Sequence, residues 1–361
     1  MVEKQKLCLV IPSLQAGGME RVMNELATYF CKKTNLEVHL VMYGFEPEIF
    51  YDVPENLIIH KPFIIFNNRR RIWFTLKTMK YLRATIRNIS PNSILSFGEY
   101  WNSFVLLTLF GLSYPIFISD RCSPEKKMGA FHSFLRKWLY PLSKGIIIQT
   151  EKARQIYLKQ FIHSNIIVIG NPIREIKKSP DTVKRDIVLM VSRLIKTKHQ
   201  DKLAELFLNT HNPDWKLVFV GYDHLKQNVS DSIKRIIRDH SAEDRIILEG
   251  KQTNVNYYYN SSKIFAFTSS SEGFPNAIGE AMSAGLPVVA FDCVAGPSEM
   301  ITDSQNGFIV PLFDYELFQD RLELLMSDSE LRERLGENAR LTIARFSLQK
   351  IGEEYLKHIL S

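Results

Sequence analysis

KIFAFTSSSEGFPNAIGEAMSAGLPVVAFD, residues 263–292, decides the fold. KIFAF and LPVVAF are apolar bursts of strand length. Between them Pro275 stands where a helix would begin, and apolar residues follow at helical spacing. The stretch therefore reads as strand, helix, strand. Upstream, DIVLMVSRL, WKLVFVGY and RIILEG repeat the strand signature, separated by helical stretches at 201–210 and 230–239, and NGFIVP adds another strand downstream. Together they make one sheet. An earlier series, LCLVIPSL, LEVHLVMYG, SILSF, YPIFISD, GIIIQT and NIIVIGNP, makes a second. The polar, basic segment 171–185, with two prolines, reads as the linker.

A chain of 361 residues suits two α/β domains. The expected fold is α/β with two Rossmann-like domains facing a cleft, 1–172 and 173–346. Helical patterns at 317–326, 330–346 and 348–360 form a carboxy-terminal annex, and C-terminal helices are expected to pack back on the first domain, which the segment 347–361 joins. Hydrophobic residues at 45% and charged residues at 24% belong to a soluble globular protein. Cys8, Cys31, Cys122 and Cys293 have neither CxxC nor metal-ligand spacing, which points to a reduced cytosolic compartment. The amino terminus carries no export signal. The apolar region 104–118 is shorter than the roughly 20 residues of a spanning helix and is broken by Gly111, Ser113 and Pro115. The net charge of +7 favours acidic partners, whether phosphates, anionic lipid or nucleic acid.

PSLQAGGMER, residues 12–21, leads from the first strand into an amphipathic helix at 21–32. Glycine tolerates positive φ and lets another group approach the backbone, and a helix amino terminus presents free N–H groups to an anion. Gly17 and Gly18 are thus candidates for a phosphate-facing turn; a tight turn with no ligand explains them as well. In the second domain Glu272 lies in the loop before a helix and Glu280 more than a turn inside it. Carboxylates accept hydrogen bonds from paired hydroxyls while a helix amino terminus holds a phosphate, the two groups that a sugar nucleotide presents. Two solvated surface acids would account for a bare E-x7-E.

The segment SSEGFPNAIGEAMSAGLPVVAFDCVAGPSEMI, 270–301, resembles the donor site of family 4 glycosyltransferases with the two-Rossmann (GT-B) fold. SRLIKTK at 192–198 resembles that family's basic donor motif, and AGGMER, Asn171-Pro172 and NGFIVP at 306–311 fall in the expected places. The resemblance covers nearly the whole chain. It implies that Arg193 and Lys198 hold the donor diphosphate, where fixed cations stabilise the charge that develops on the leaving group without a metal or cofactor. It implies that Glu280 accepts the ribose hydroxyls, that Glu272 binds donor-sugar hydroxyls, and that backbone groups from Gly273 and Phe274 to Asn276 line the sugar and phosphate. Gly17 and Gly18 would face them, and Glu299 is a further donor-side candidate. The family usually retains anomeric configuration and uses a nucleotide sugar, here a UDP-sugar, in surface polysaccharide assembly such as capsule or lipopolysaccharide.

Many relatives carry a histidine where this chain has Ser119-Asp120-Arg121. Arg121 is a candidate phosphate ligand with Asp120 to orient it, or the two form only a local ion pair; a permanently charged guanidinium is no general base. Glu99, after the strand SILSF, is an acceptor-side candidate. No acid lies between Glu55 and Glu99, while Lys61, Arg69, Arg70, Arg71, Lys77, Lys80, Arg83 and Arg87 do. Ile72, Leu76, Met79, Leu82 and Ile86 recur at helical spacing there with Trp73 and Phe74. This suits an anionic membrane surface contacted through 69–87, or a helix packed on the first sheet with its charges solvated. Lys126, Lys127, Arg136 and Lys137 with Phe131, Phe134, Leu135, Trp138 and Leu139 form a second such patch, for which a core helix is the preferred account. The expected setting is cytoplasmic, at the inner face of the membrane, with a lipid-linked or oligosaccharide acceptor and no nucleic acid. The rival readings are a sugar-nucleotide epimerase or hydrolase of the same fold and a basic nucleic-acid-binding protein. A nicotinamide dehydrogenase is disfavoured by the absence of GxGxxG.

Overall fold

The computed structural model describes residues 4–44, 48–62, 68–180 and 182–361. The chain divides into one unit of Met1–Pro172 with Leu348–Ser361 and another of Ile173–Ser347. The first unit runs β1 (Gln5–Ile11), α1 (Gly18–Cys31), β2 (Leu36–Met42), β3 (Ile58–His60), α2 (Arg71–Ile89), β4 (Ser93–Phe97), α3 (Glu99–Leu109), β5 (Ile116–Ser119), α4 (Ala130–Leu139), β6 (Gly145–Ile148), α5 (Glu151–Gln160) and β7 (Ile166–Val168). Its strands lie in the order β3-β2-β1-β4-β5-β6-β7, all parallel. Parallel strands buried on both faces need near-continuous apolar sequence, which is why Leu7 to Ile11 are fully buried.

The second unit runs β8 (Ile187–Val191), α6 (Gln200–Leu208), β9 (Lys216–Val220), α7 (Val229–Asp239), β10 (Ile246–Gly250), α8 (Val255–Ser261), β11 (Ile264–Phe267), α9 (Asn276–Ser283), β12 (Val288–Phe291), α10 (Pro297–Met300), β13 (Phe308–Val310), α11 (Tyr315–Ser327) and α12 (Ser329–Ile343). Its parallel sheet has the order β10-β9-β8-β11-β12-β13. The last helix, α13 (Leu348–Ile359), belongs to the first unit and packs on α1. Gly352 makes that approach possible, because a Cβ there would overlap the Tyr29 ring.

Three details differ from the sequence reading. The strand β3 is an addition, too short at three residues to give a pattern. Pro275 caps α9 instead of sitting in its first turn. The segment 171–185, of which Asp181 lies outside the described residues, is not a free linker: Ile173 and Ile176 are buried in the second unit's core, and the Ile173 N–H donates to the Phe346 carbonyl at 2.8 Å.

The two basic, aromatic stretches of the first unit also resolve. In α2 the second half of the stripe, Leu82, Ile86 and Ile89, is buried, while Ile72, Trp73 and Leu76 in the first half are exposed. The core-helix account of the second patch holds for Leu135 and Leu139 and is corrected for its aromatic residues. On α4, Leu139 and Arg136 turn inward, whereas Phe131, Phe134 and Trp138 are exposed by 69%, 58% and 66%. No helix among the described residues is long and apolar enough to cross a membrane.

Candidate active site

Counted within the second unit, the strand order is 3-2-1-4-5-6, so the chain reverses its direction of travel between β8 and β11. An open parallel sheet leaves a crevice at the carboxyl ends of its strands at such a point. The loops that follow these two strands carry Arg193, Lys198, Glu272 and Gly273, and Asn276 opens the helix after the second. Hydrogen bonds staple the loops together: Thr268 Oγ1 donates to the Lys198 carbonyl at 2.8 Å, and the Ser270 N–H donates to the Thr197 carbonyl at 2.8 Å. His199, in the left-handed region at φ 52°, adds a contact from Nε2 to Ser270 Oγ at 2.9 Å.

Lys198 ends a 3-10 turn, Lys196–Lys198, and is buried; its ammonium bonds the Glu272 carboxylate and lies 5.1 Å from the centre of the Phe267 ring. Arg193, two residues beyond β8, is exposed and its guanidinium has no bonding partner among the described residues. The site thus holds one cation already paired with its neighbouring acid and one left for an outside anion. Asn276 opens α9, whose amino end has no side-chain cap. Phe274 turns its ring into the core against Phe346, with ring centres 5.5 Å apart, which leaves only its backbone for a ligand. Glu280, on the buried face of α9, accepts a hydrogen bond from the Tyr259 hydroxyl at 3.1 Å and lies 3.6 Å from Arg174 Nη2. Glu299 is half-buried on α10. That helix starts against the loop before α9, since a Cβ on Gly296 would come within 2.5 Å of Pro275 Cδ.

In the first unit the reversal falls between β1 and β4. The two loops meet at Gly98, whose φ of +105° few other residues adopt, and where a Cβ would come within 3.1 Å of Met19 Sδ. Gly17 does not use the positive-φ freedom argued for it. Its φ is −169°, extended backbone open to any residue, and a Cβ there would meet only the end of the flexible Glu20 side chain. The Tyr51 hydroxyl braces the turn, accepting from the Gly17 N–H and donating to its carbonyl. Gly18 is the first residue of α1. Glu99 begins α3, is buried, and bonds Lys126 Nζ at 3.1 Å. Burial opposes its ionisation, but bonds from the Cys122 thiol and its own backbone N–H, with the Lys126 charge, outweigh burial and hold its carboxyl below the ordinary range. Burial, with the Glu99 charge beside it, pushes the Cys122 thiol up to about 12, so it stays protonated.

The expected pairing of Asp120 with Arg121 is corrected. Both oxygens of Asp120 are taken by other donors: Oδ1 accepts from Asn102 Nδ2 at 2.9 Å and Tyr140 Oη at 2.7 Å, and Oδ2 from Arg136 Nη2 at 2.5 Å and from the Tyr157 hydroxyl. Arg121 points elsewhere. Its Nη1 donates to Asn171 Oδ1 at 2.7 Å, its Nη2 to the Tyr355 hydroxyl at 2.9 Å, and its Cζ lies over the Phe97 ring, 3.6 Å from the ring centre. The partners Tyr259, Arg174, Tyr51, Asn102 and Tyr157 escaped sequence reasoning, because nothing in their spacing links them to the residues they hold.

The sequence model described as "Glycosyltransferase Family 4" matches residues 16–175, and that described as "Glycosyl transferases group 1" matches 172–342. The chain belongs to the family 4 glycosyltransferases. This transferase is 28% identical to the amylovoran biosynthesis glycosyltransferase AmsD of Erwinia amylovora, over 92% of this chain and 93% of that one. It is 26% identical, over 99% of this chain and all of the other, to the N-acetylgalactosamine-N,N'-diacetylbacillosaminyl-diphospho-undecaprenol 4-alpha-N-acetylgalactosaminyltransferase of Campylobacter jejuni. Among solved structures, Anabaena HepE in complex with UDP superposes with a TM-score of 0.80 at 17% identity, covering 98% of each chain. TarM superposes with a TM-score of 0.79 at 16% identity, covering 99% of each. At those identities the likeness speaks for the two-Rossmann fold.

Proposed function

We propose that this glycosyltransferase moves a hexose or N-acetylhexosamine, with retention of anomeric configuration, from a UDP-sugar to a lipid-linked or oligosaccharide acceptor in bacterial surface polysaccharide assembly. The observation that carries the reading is the meeting of Arg193, Lys198, Glu272 and the amino end of α9 at the point where the second unit's sheet reverses, with Glu280 on the same helix. In this reading the diphosphate draws on Arg193 and on Lys198, which exchanges part of its bond with Glu272 for the phosphate, while Glu272 turns to sugar hydroxyls. Glu280, its carboxylate oriented by Tyr259 and Arg174, takes the ribose. Gly273, Phe274 and Asn276 offer backbone groups, and Glu299 stands behind them.

As the anomeric C–O bond breaks, charge accumulates on the departing diphosphate, where the two cations stabilise it more than in the ground state. The acceptor hydroxyl oxygen bonds the anomeric carbon, and its proton passes to a diphosphate oxygen. No enzymic nucleophile, metal or cofactor is invoked. Gly17 and Gly18 stand as donor-binding candidates, Glu99 belongs to the acceptor side, and Arg121 positions that side instead of giving or taking a proton. Names and contents of similar proteins support the substrates: the Campylobacter relative is named for a diphospho-undecaprenol acceptor, and the HepE structure holds UDP. A cytoplasmic enzyme resting on the inner membrane face through 69–87 fits the exposed Ile72, Trp73 and Leu76 beside Arg69, Arg70, Arg71, Lys77 and Lys80. Nucleic acid has no part in it.

The test is nucleotide release from a panel of UDP- and GDP-sugars, in EDTA, with and without membrane lipid extract, for wild type and Glu280→Ala. Acceptor-dependent release of UDP, lost in the variant, is expected. Turnover that ignores the acceptor would identify an epimerase or hydrolase instead.

A further inference from the structure

A surface helix of a folded domain turns one apolar stripe inward and a polar face outward. Helix α4 has two apolar stripes. Leu135 and Leu139, with the aliphatic part of Arg136, face the sheet, and Phe131, Phe134 and Trp138, spaced three and four apart, form a second stripe that faces outward. Leu142, just past the helix, is 55% exposed and continues it. Three aromatic side chains in one exposed row are a contact surface awaiting an occupant.

Charge tells which one. From Lys126 to Lys144 the sequence has five basic residues and no acidic one. Arg136 is spent inward on Asp120 and Lys126 on Glu99, which leaves Lys127, Lys137 and Lys144, all exposed and with no acidic partner among the described residues. A second copy of the chain docking through the same patch would set these lysines against their own counterparts, since a two-fold contact brings identical surfaces together. An anionic bilayer offers both an apolar layer at the depth of the rings and negative headgroups at the height of the ammonium groups.

We propose that the outer face of α4 is a membrane-inserting surface, the aromatic row entering the headgroup boundary and the three lysines meeting anionic lipid. Arg136 gives this a consequence for the enzyme. The same helix that meets the bilayer is bonded from its inner face to Asp120 at the end of β5 and to Tyr157, so the bilayer contact is joined to the loop that carries Arg121. The inference rests on the membrane-face reading above but places the principal contact on α4 instead of 69–87.

Sedimentation with vesicles of phosphatidylglycerol and phosphatidylcholine, against pure phosphatidylcholine, tests it. Wild type binds the anionic vesicles. Phe131→Ser/Phe134→Ser/Trp138→Ser, whose substitutions are all at exposed sites, lowers the partition coefficient about tenfold or more. Lys127→Gln/Lys137→Gln/Lys144→Gln, which leaves the aromatic row intact, lowers it about fivefold per lysine on anionic vesicles only. Nucleotide release with a water-soluble acceptor stays unchanged in both. Full vesicle binding by the aromatic variant, together with its loss in Ile72→Ser/Trp73→Ser/Leu76→Ser, would overturn the α4 assignment and leave the membrane-face reading standing. Failure of wild type to bind any vesicle would overturn both. A dimer in sedimentation velocity that the aromatic variant dissociates would assign the surface to a second copy.

Discussion

Replacing Asp120 by alanine removes the acceptor of four hydrogen bonds at a site 3% exposed. Arg136, 8% exposed, is left as a buried guanidinium without its carboxylate, the Tyr157 hydroxyl loses its acceptor, and that of Tyr140 keeps only the Glu99 carbonyl at 3.3 Å. Breaking a buried ion pair from one side costs about 3–5 kcal/mol, because the remaining charge keeps its desolvation penalty without the compensating attraction. For a unit of this size each kcal/mol moves Tm by about 2–4 °C, so the expected loss is near 10 °C. The diagnostic comparison is the pair Asp120→Leu/Arg136→Met, which removes both charges and keeps the volume apolar. It should recover most of the loss, since buried ion pairs are often matched by hydrophobic replacements. Calorimetry of the two single variants and the double variant, with hydrogen exchange of β5 to assign the transition to the first unit, makes the measurement. A shift below about 2 °C for Asp120→Ala, or a double variant that loses the sum of the singles, would refute the reasoning.

At the donor end, Lys198→Ala should lower kcat by about a hundredfold, the usual scale for one group placed where charge develops. Glu272→Gln weakens the hold on Lys198 and should tighten calorimetric binding of UDP alone while UDP-sugar turnover falls; weaker UDP binding would show that Glu272 does not compete with the phosphate. The carboxyl of Glu99 is held below its ordinary range, so it contributes stability that is present above about pH 4.3, its unfolded value, and is lost as pH falls through the folded value. Urea unfolding of wild type and Glu99→Gln should therefore differ at pH 7 and converge on the acid limb, and a constant gap across pH would contradict the assignment. Gly352→Ala drives a methyl into the Tyr29 ring and should cost about 1–3 kcal/mol in urea unfolding; an unchanged midpoint would mean that α13 can slide on α1 without penalty.

The two sheets were legible because a parallel strand buried on both faces must be an unbroken apolar run, and runs such as IVLMV and LVFV have few other uses. The loops after β8 and β11 were legible because their residues are close in sequence and arrive with a strand before and a helix after. Other features carry no such signal. Ile58–His60 is an edge strand with Ile58 41% exposed, so its pattern is that of a loop. On α4 both 131/134/138 and 135/139 satisfy helical spacing, and periodicity alone cannot say which row faces the sheet. Asp120 finds its partners 16 to 37 residues away, on helices whose packing decides the contact.

The departure at Arg121 follows from what that side chain holds. Asn171 lies one residue before the end of the first unit's main segment, and Tyr355 lies on the helix with which the chain returns to it. A guanidinium is a rigid planar fork that can donate to two separated oxygens while its face lies on an aromatic ring, and Arg121 does all three. A neutral imidazole offers a single donor at a shorter reach and could not brace both segments. An arginine here is therefore suited to fixing the places where the chain leaves and re-enters the first unit. The loop that holds it is secured in turn by Asp120, whose own charge is absorbed by Arg136. Arg121→Lys should retain the charge and lose the brace, so hydrogen exchange around 170–172 and at the start of α13 should rise in that variant. If protection there is unchanged while donor turnover collapses, Arg121 acts on the substrate and the bracing account is wrong.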